Sequence, residues 1–141
     1  MKKLSCGVLV FQDDKILMGH STGNSFWDIP KGLNEVNEKE NFTAIRELKE
    51  EFGFTIQTNE LKDLGVFELN KSKDLHLFKY IGNKTFDVKD AVCTSYFINR
   101  YTSKECPEID GFNFLSIEDA IDKSYKNLSI ILQTLFHNDD I

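Results

Sequence analysis

Residues 32–54 read GLNEVNEKENFTAIRELKEEFGF, and the rest of the chain is best understood outward from them. From Glu40 to Phe52 the apolar side chains recur at helical spacing. At about 100° per residue, Phe42, Ile45, Leu48 and Phe52 fall in one arc. Glu47, Glu50 and Glu51 fall on the opposite face. Gly53 stands where a left-handed residue ends a helix. The pattern predicts a helix over Glu40–Phe52.

The three glutamates at i, i+3 and i+4 repel one another, at a few tenths of a kcal/mol per pair. Lys49 lies off their arc, and no basic partner falls on it. Read alone, such a triplet is equally a solvated acidic face or a site for a hard cation. Oxygen-only ligands favour magnesium, manganese or calcium over zinc. Magnesium keeps part of its water shell and bridges to phosphate oxygens, which suits polyphosphate chemistry. Gly32, without a Cβ, allows close approach of the backbone to such a site.

On the N-terminal side, Leu4 to Phe11 reads as a strand, Gln12-Asp13-Asp14 as a turn and Lys15 to Gly19 as a second strand. On the C-terminal side, Leu64 to Leu69, Leu75 to Ile81 and Cys93 to Ile98 read as strands. A helix is expected from Ser116 onward, with Ser116 as N-cap and Asp119 completing an imperfect capping box. Strands before, between and after two helical segments predict an α/β domain spanning residues 1–141.

The composition narrows the function. Lys and Arg number 17 against 23 Asp and Glu, a net charge of −6. Such a chain is not built to hold nucleic acid by phosphate neutralisation alone. It can hold a phosphorylated ligand where divalent cations sit between the two sets of negative charge. No apolar run reaches the length of a membrane span, and no secretory signal is visible, so a cytoplasmic protein is expected. Cys6, Cys93 and Cys106 are odd in number and far apart, which argues against a disulfide framework or a zinc site.

Taken together, Gly32, five residues, Glu38, seven residues, Arg46-Glu47-Leu48-Lys49-Glu50-Glu51, one residue, Gly53 and Phe54 resemble the Nudix box at every specified position. The resemblance extends beyond the box. Cys6 to Val10 with Ile16 to Gly19 looks like the family's opening hairpin, and Trp27-Asp28-Ile29-Pro30-Lys31 like its lead-in. Asp110 to Leu115 looks like its segment before the last helix, with Phe114 where many members carry tryptophan.

The resemblance implies an α/β/α sandwich around a mixed sheet, with the box as loop–helix–loop. It implies Glu50 and Glu51 as primary metal ligands and Glu47 as ligand or base. The backbone carbonyl of Lys31 would complete the shell, and Arg46 would pair with Glu38. The Lys31 side chain stands where many members have glycine. It is either a substrate-phosphate contact or a surface lysine. Trp27 is either a stacking platform for a base or a core residue. Glu108, in the loop before the last helix, is a candidate fourth catalytic carboxylate. The implied activity is magnesium-dependent hydrolysis of a phosphoanhydride bond, with manganese able to substitute. The substrate expected is a small nucleotide such as a dinucleoside polyphosphate, nucleoside triphosphate or nucleotide sugar. RNA 5′-end pyrophosphohydrolysis is the alternative, and a non-catalytic nucleotide sensor a more remote one.

Overall fold

The computed structural model describes residues 1–141. Ten strands are present: β1 (Lys3–Leu9), β2 (Phe11–Gln12), β3 (Lys15–Ser21), β4 (Trp27–Asp28), β5 (Lys31–Leu33), β6 (Leu61–Asn70), β7 (Lys73–Tyr80), β8 (Tyr96–Ile98), β9 (Glu105–Pro107) and β10 (Ile109–Ser116). The α-helices are α1 (Glu40–Phe52), α2 (Ile117–Lys123) and α3 (Lys126–His137). One sheet runs β5-β1-β7-β6, with β1 parallel to β7 and the other pairs antiparallel. A second runs β10-β3-β2, with β4 added to β3, and β8 and β9 form a separate hairpin.

The period of two in a strand sorts the core into two layers. Cys6 and Val8 of β1, Leu17 of β3 and Phe78 and Tyr80 of β7 meet Ala44, Leu48 and Phe52 of α1. Their alternates Leu9, Ile16, Met18, Leu75 and Leu77 meet Leu128, Ile131, Leu132 and Leu135 of α3. The result is the expected α/β/α sandwich around mixed sheet. No helix is long and apolar enough to cross a membrane.

Helix α1 has the expected bounds, and the Gly53 N–H donates to the Lys49 carbonyl (2.9 Å) from φ 79°. Its buried face is rotated from the expected one. Thr43, Ala44, Glu47, Leu48, Glu51 and Phe52 are buried, whereas Phe42 is 49% exposed. The helix packs its carboxylates Glu47 and Glu51 against β5, so they do not oppose the buried arc but border it.

Three other expectations shift. Only Tyr96–Ile98 of the Cys93 to Ile98 stretch is a strand. The residues before it serve the end of α1: Val92 N–H donates to the Phe52 carbonyl (3.0 Å) and Thr94 N–H to that of Glu50 (2.7 Å). These bonds satisfy carbonyls that a helix end leaves open, so they are not free for a ladder. The segment from Glu105 to Ser116, read only as preceding the last helix, forms β9 and β10. The last helix is two helices. Ser116 caps α2 by accepting from Asp119 N–H (3.1 Å), and extended backbone at Ser124 and Tyr125 separates it from α3.

Candidate active site

Strand β5 and helix α1 define the site, and Arg46 ties them together. Its Nε and Nη2 donate to the Glu38 carboxylate (2.8 and 3.1 Å), and Nη2 also donates to the Leu33 carbonyl (3.0 Å). Thr43 Oγ1 donates to the same glutamate (2.6 Å). The Arg46 guanidinium, with help from Thr43, overcomes partial burial and holds the Glu38 carboxyl down at about 2. The loop before α1 is thereby pinned to the helix through ionised partners.

No basic residue is expected on the arc of the acidic triplet, yet Arg46 reaches it from beside that arc. Its Nη1 lies 2.9 Å from Glu47 and 3.3 Å from Glu50. Arg46 reaches Glu50 as an i, i+4 neighbour on the helix and Glu47 as the next residue.

Glu47 and Glu51 are each 8% exposed. Burial pushes the Glu47 carboxyl up to about 7, against the pull of Arg46, with Glu50 and Glu108 adding to the rise. Burial pushes Glu51 further, to about 9; the N–H of Lys31, which donates to it at 3.0 Å, offsets only part of this. A Cβ on Gly32 would fall on the Glu47 carboxyl group. Only glycine at this position leaves the Glu47 carboxyl where it stands.

These groups open into a cavity of about 670 Å³ whose walls include Arg46, Glu47, Glu50, Glu51, Lys73 and Glu108. Glu108 arrives from the bend between β9 and β10. Its N–H donates to the Ser95 carbonyl (2.8 Å) and its carbonyl accepts from Thr22 N–H (3.0 Å). A smaller cavity of about 300 Å³, with Thr22, Asn24, Asp28 and Phe97 in its walls, shares Glu51 and Glu108 with the first. The structure thus brings Glu47, Glu50, Glu51 and Glu108 to one cavity. Glu105 is exposed on β9, and Asp110 pairs with His20 (2.5 Å).

The Lys31 side chain turns inward. Its Nζ lies 3.2 Å from Asp28 and 5.8 Å from the centre of the Tyr125 ring. Burial disfavours its charge, but Asp28 and Tyr125 more than restore it, so Lys31 remains a cation. Trp27 packs partly buried against the α3 side of the core, edge-on to His20, with ring centres 5.5 Å apart, and is not among the walls of either cavity. Sequence reasoning passed over Asp28, Lys73 and Tyr125. Asp28 carried one usable signal, its i, i+3 spacing to Lys31; the other two are joined to the site only by the fold.

The donors fit a hard divalent cation. They are carboxylate oxygens, two of them buried with charge that the protein alone does not fully balance. No three of these side chains are gathered about one point in the present arrangement. A cation would draw Glu47 and Glu50 from Arg46, and Glu51 from the Lys31 N–H.

Comparison with known proteins identifies the family. Residues 1–135 match the family profile of the NUDIX domain. The uncharacterized 17.7 kDa protein of the e-segB intergenic region of Enterobacteria phage T4 is 38% identical over 125 residues, covering 79% of this chain and 81% of the phage protein. The C. elegans Ap4A hydrolase, solved as a binary complex, has a similar fold (TM-score 0.62, 21% identity), with 94% of this chain and 96% of that one covered. A bifunctional NMN adenylyltransferase/ADP ribose pyrophosphatase from Francisella tularensis, complexed with AMP and a manganese ion, is likewise similar (TM-score 0.68, 16% identity). There 98% of this chain matches 42% of the larger one. The chain belongs to the Nudix hydrolase family.

Proposed function

We propose that the protein hydrolyses a phosphoanhydride bond in a small nucleotide derivative, using Mg²⁺ or Mn²⁺ held by Glu47, Glu50, Glu51 and the Lys31 carbonyl. The observation that carries this reading is the pair of buried carboxylates, Glu47 and Glu51, set against the bare backbone of Gly32 at the wall of an open cavity. A bound divalent cation supplies charge neutralisation to the phosphates and acidifies water. The chain's own part is to position and to accept protons. Arg46 and Glu38 lock α1 to the preceding loop, so the helix that carries the carboxylates is held at the cavity wall. Glu47, with its carboxyl raised to about 7, and Glu108, on a bend across the cavity, are the two groups suited to take a proton from water. The net charge of −6, the AMP bound to the Francisella protein and the Ap4A that the C. elegans enzyme is named for hydrolysing support a small nucleotide over RNA.

A screen of dinucleoside polyphosphates, nucleoside triphosphates, nucleotide sugars and 5′-triphosphorylated RNA with magnesium tests this. Turnover of a small nucleotide, lost with chelator and regained with magnesium or manganese, is expected. Undiminished turnover in EDTA, or turnover of none of these compounds, refutes the proposal.

A further inference from the structure

The edge strand β5 separates two chemically different walls of the large cavity. Gly32 is in register with Cys6, on the face covered by α1, and it is there that Glu47 and Glu51 stand. Lys31 and Leu33 alternate to the other face, with their partners Gly7 and Ser5. In the parallel pair β1–β7, Lys73 is in register with Lys3 and Leu75 with Ser5, so Ser5 and Lys73 share that same other face. The cavity therefore wraps over the edge of the sheet: acidic from the α1 side, with Ser5, Lys31 and Lys73 from the opposite side.

On this second wall Lys31 is occupied by Asp28, whereas Lys73 makes no ion pair. Burial, followed by the neighbouring ammonium groups of Lys31 and Lys3, holds the Lys73 charge below its ordinary strength, and Asp28 only partly opposes this. Ser5, 2% exposed as a residue, makes no side-chain hydrogen bond within the protein. A half-buried cation repelled by two others, next to a free hydroxyl, is stabilised by an incoming anion.

We propose that Lys73, with Ser5 beside it, binds a phosphate of the substrate beyond the pair handled at the carboxylates, and so selects nucleotides carrying three or more phosphates in a row. This rests on the pyrophosphohydrolase reading given above. Lys73 stands two strands from β5, and neighbouring strands are about 4.8 Å apart, so its ammonium meets a different stretch of the chain from that at Glu47 and Glu51. Lysine acts there as a point charge, without the planar fork that would fix one phosphate geometry.

Two measurements on Lys73→Gln, Lys73→Arg and the exposed control Lys71→Gln test the assignment. The first is calorimetric binding of inorganic tripolyphosphate with magnesium. Lys73→Gln should weaken it at least about tenfold, with the other two variants within about threefold of the parent. The second is the kinetics of a dinucleoside tetraphosphate against ADP-ribose, which has only two phosphates. For Lys73→Gln, KM should rise at least about tenfold on the tetraphosphate with kcat nearly unchanged, and less than about twofold on ADP-ribose. Equal losses on both substrates, failure of Lys73→Arg to restore binding, or tripolyphosphate binding that is absent in the parent or unaltered by Lys73→Gln overturns the proposal. If neither these two nor any other compound of the screen above is hydrolysed, the pyrophosphohydrolase reading fails, while tripolyphosphate binding still decides the role of Lys73.

Discussion

Replacing Glu51 with glutamine should stabilise the metal-free protein while removing its activity. Glutamine keeps the shape of the side chain and an oxygen that accepts the Lys31 N–H, but carries no charge. In the folded protein burial holds the Glu51 carboxyl up at about 9, against an ordinary value of 4.5. Between those two values the native state binds a proton that the unfolded chain has released, so stability falls as pH rises. Each pH unit costs about 1.4 kcal/mol, which sets a ceiling of about 5 kcal/mol at pH 8 and about 2 kcal/mol at pH 6. Glu51 faces an open cavity, and water entering there lowers the cost. We expect Glu51→Gln to gain about 2 kcal/mol in EDTA at pH 8, a rise in Tm of about 6 °C. The gain should shrink steadily toward pH 5. Thermal unfolding of both proteins in EDTA from pH 5 to pH 9 measures it. With magnesium, only the parent should gain appreciably in Tm, since ligand binding to the native state adds stability. A Glu51→Gln protein that is no more stable than the parent at pH 8, or whose advantage does not grow with pH, refutes the claim that this carboxylate is buried at a cost the protein alone does not offset.

Two further substitutions bear on the rest of the site. Glu108→Gln should lower turnover at least about tenfold with little change in Tm, whereas Glu105→Gln, on the exposed side of β9, should be nearly silent; steady-state rates at saturating substrate distinguish them, and the reverse order would move the role to Glu105. Gly32→Ala should fold, because the side chain it displaces ends in a flexible carboxylate, yet it should reduce turnover at least about tenfold by moving Glu47; unchanged turnover would show that Glu47 need not occupy its present position.

The sandwich was legible because its signals are local. The 3.6-residue period, the glycine at position 53 and the alternating strands each act within a few residues. What escaped was decided by distant partners. The stretch Cys93 to Ser95 has the composition of a strand, but the N–H groups of Thr94 and of Val92 just before it are taken by open carbonyls of α1. Ser124 has nothing in its side chain that forbids a continuous helix; there the chain turns so that α3 can lay Leu128, Leu132 and Leu135 on the sheet. In the site, the box glutamates could be picked out by spacing, since all lie on one helix and its loop. Lys73 lies 22 residues beyond Glu51 in the chain and reaches the cavity only through the pairing of β7 with β1. No pattern within the sequence connects them.

The distribution of charge around Arg46 explains where a cation gains most. One guanidinium donates hydrogen bonds to three carboxylates, and unequally. Glu38 receives two of its hydrogen bonds and a third from Thr43, and is held at about 2. Glu50 lies further from it, at 3.3 Å, and its side chain is 41% exposed to water, which solvates the charge. Glu47 receives one bond and is buried, and the bond does not overcome the burial. Glu51 receives none from Arg46, and only a neutral backbone N–H from Lys31. The deficit in positive charge therefore grows along the cavity wall from Glu38 through Glu47 to Glu51, ending at the backbone of Lys31 and Gly32. A divalent cation placed at that end replaces the missing solvation of two buried carboxylates at once and leaves the Arg46–Glu38 lock undisturbed. Placed at Glu38 it would compete with an arginine for a carboxylate that is already satisfied. Burial of the last two glutamates thus makes that end of the acidic row the place where a divalent cation would gain most.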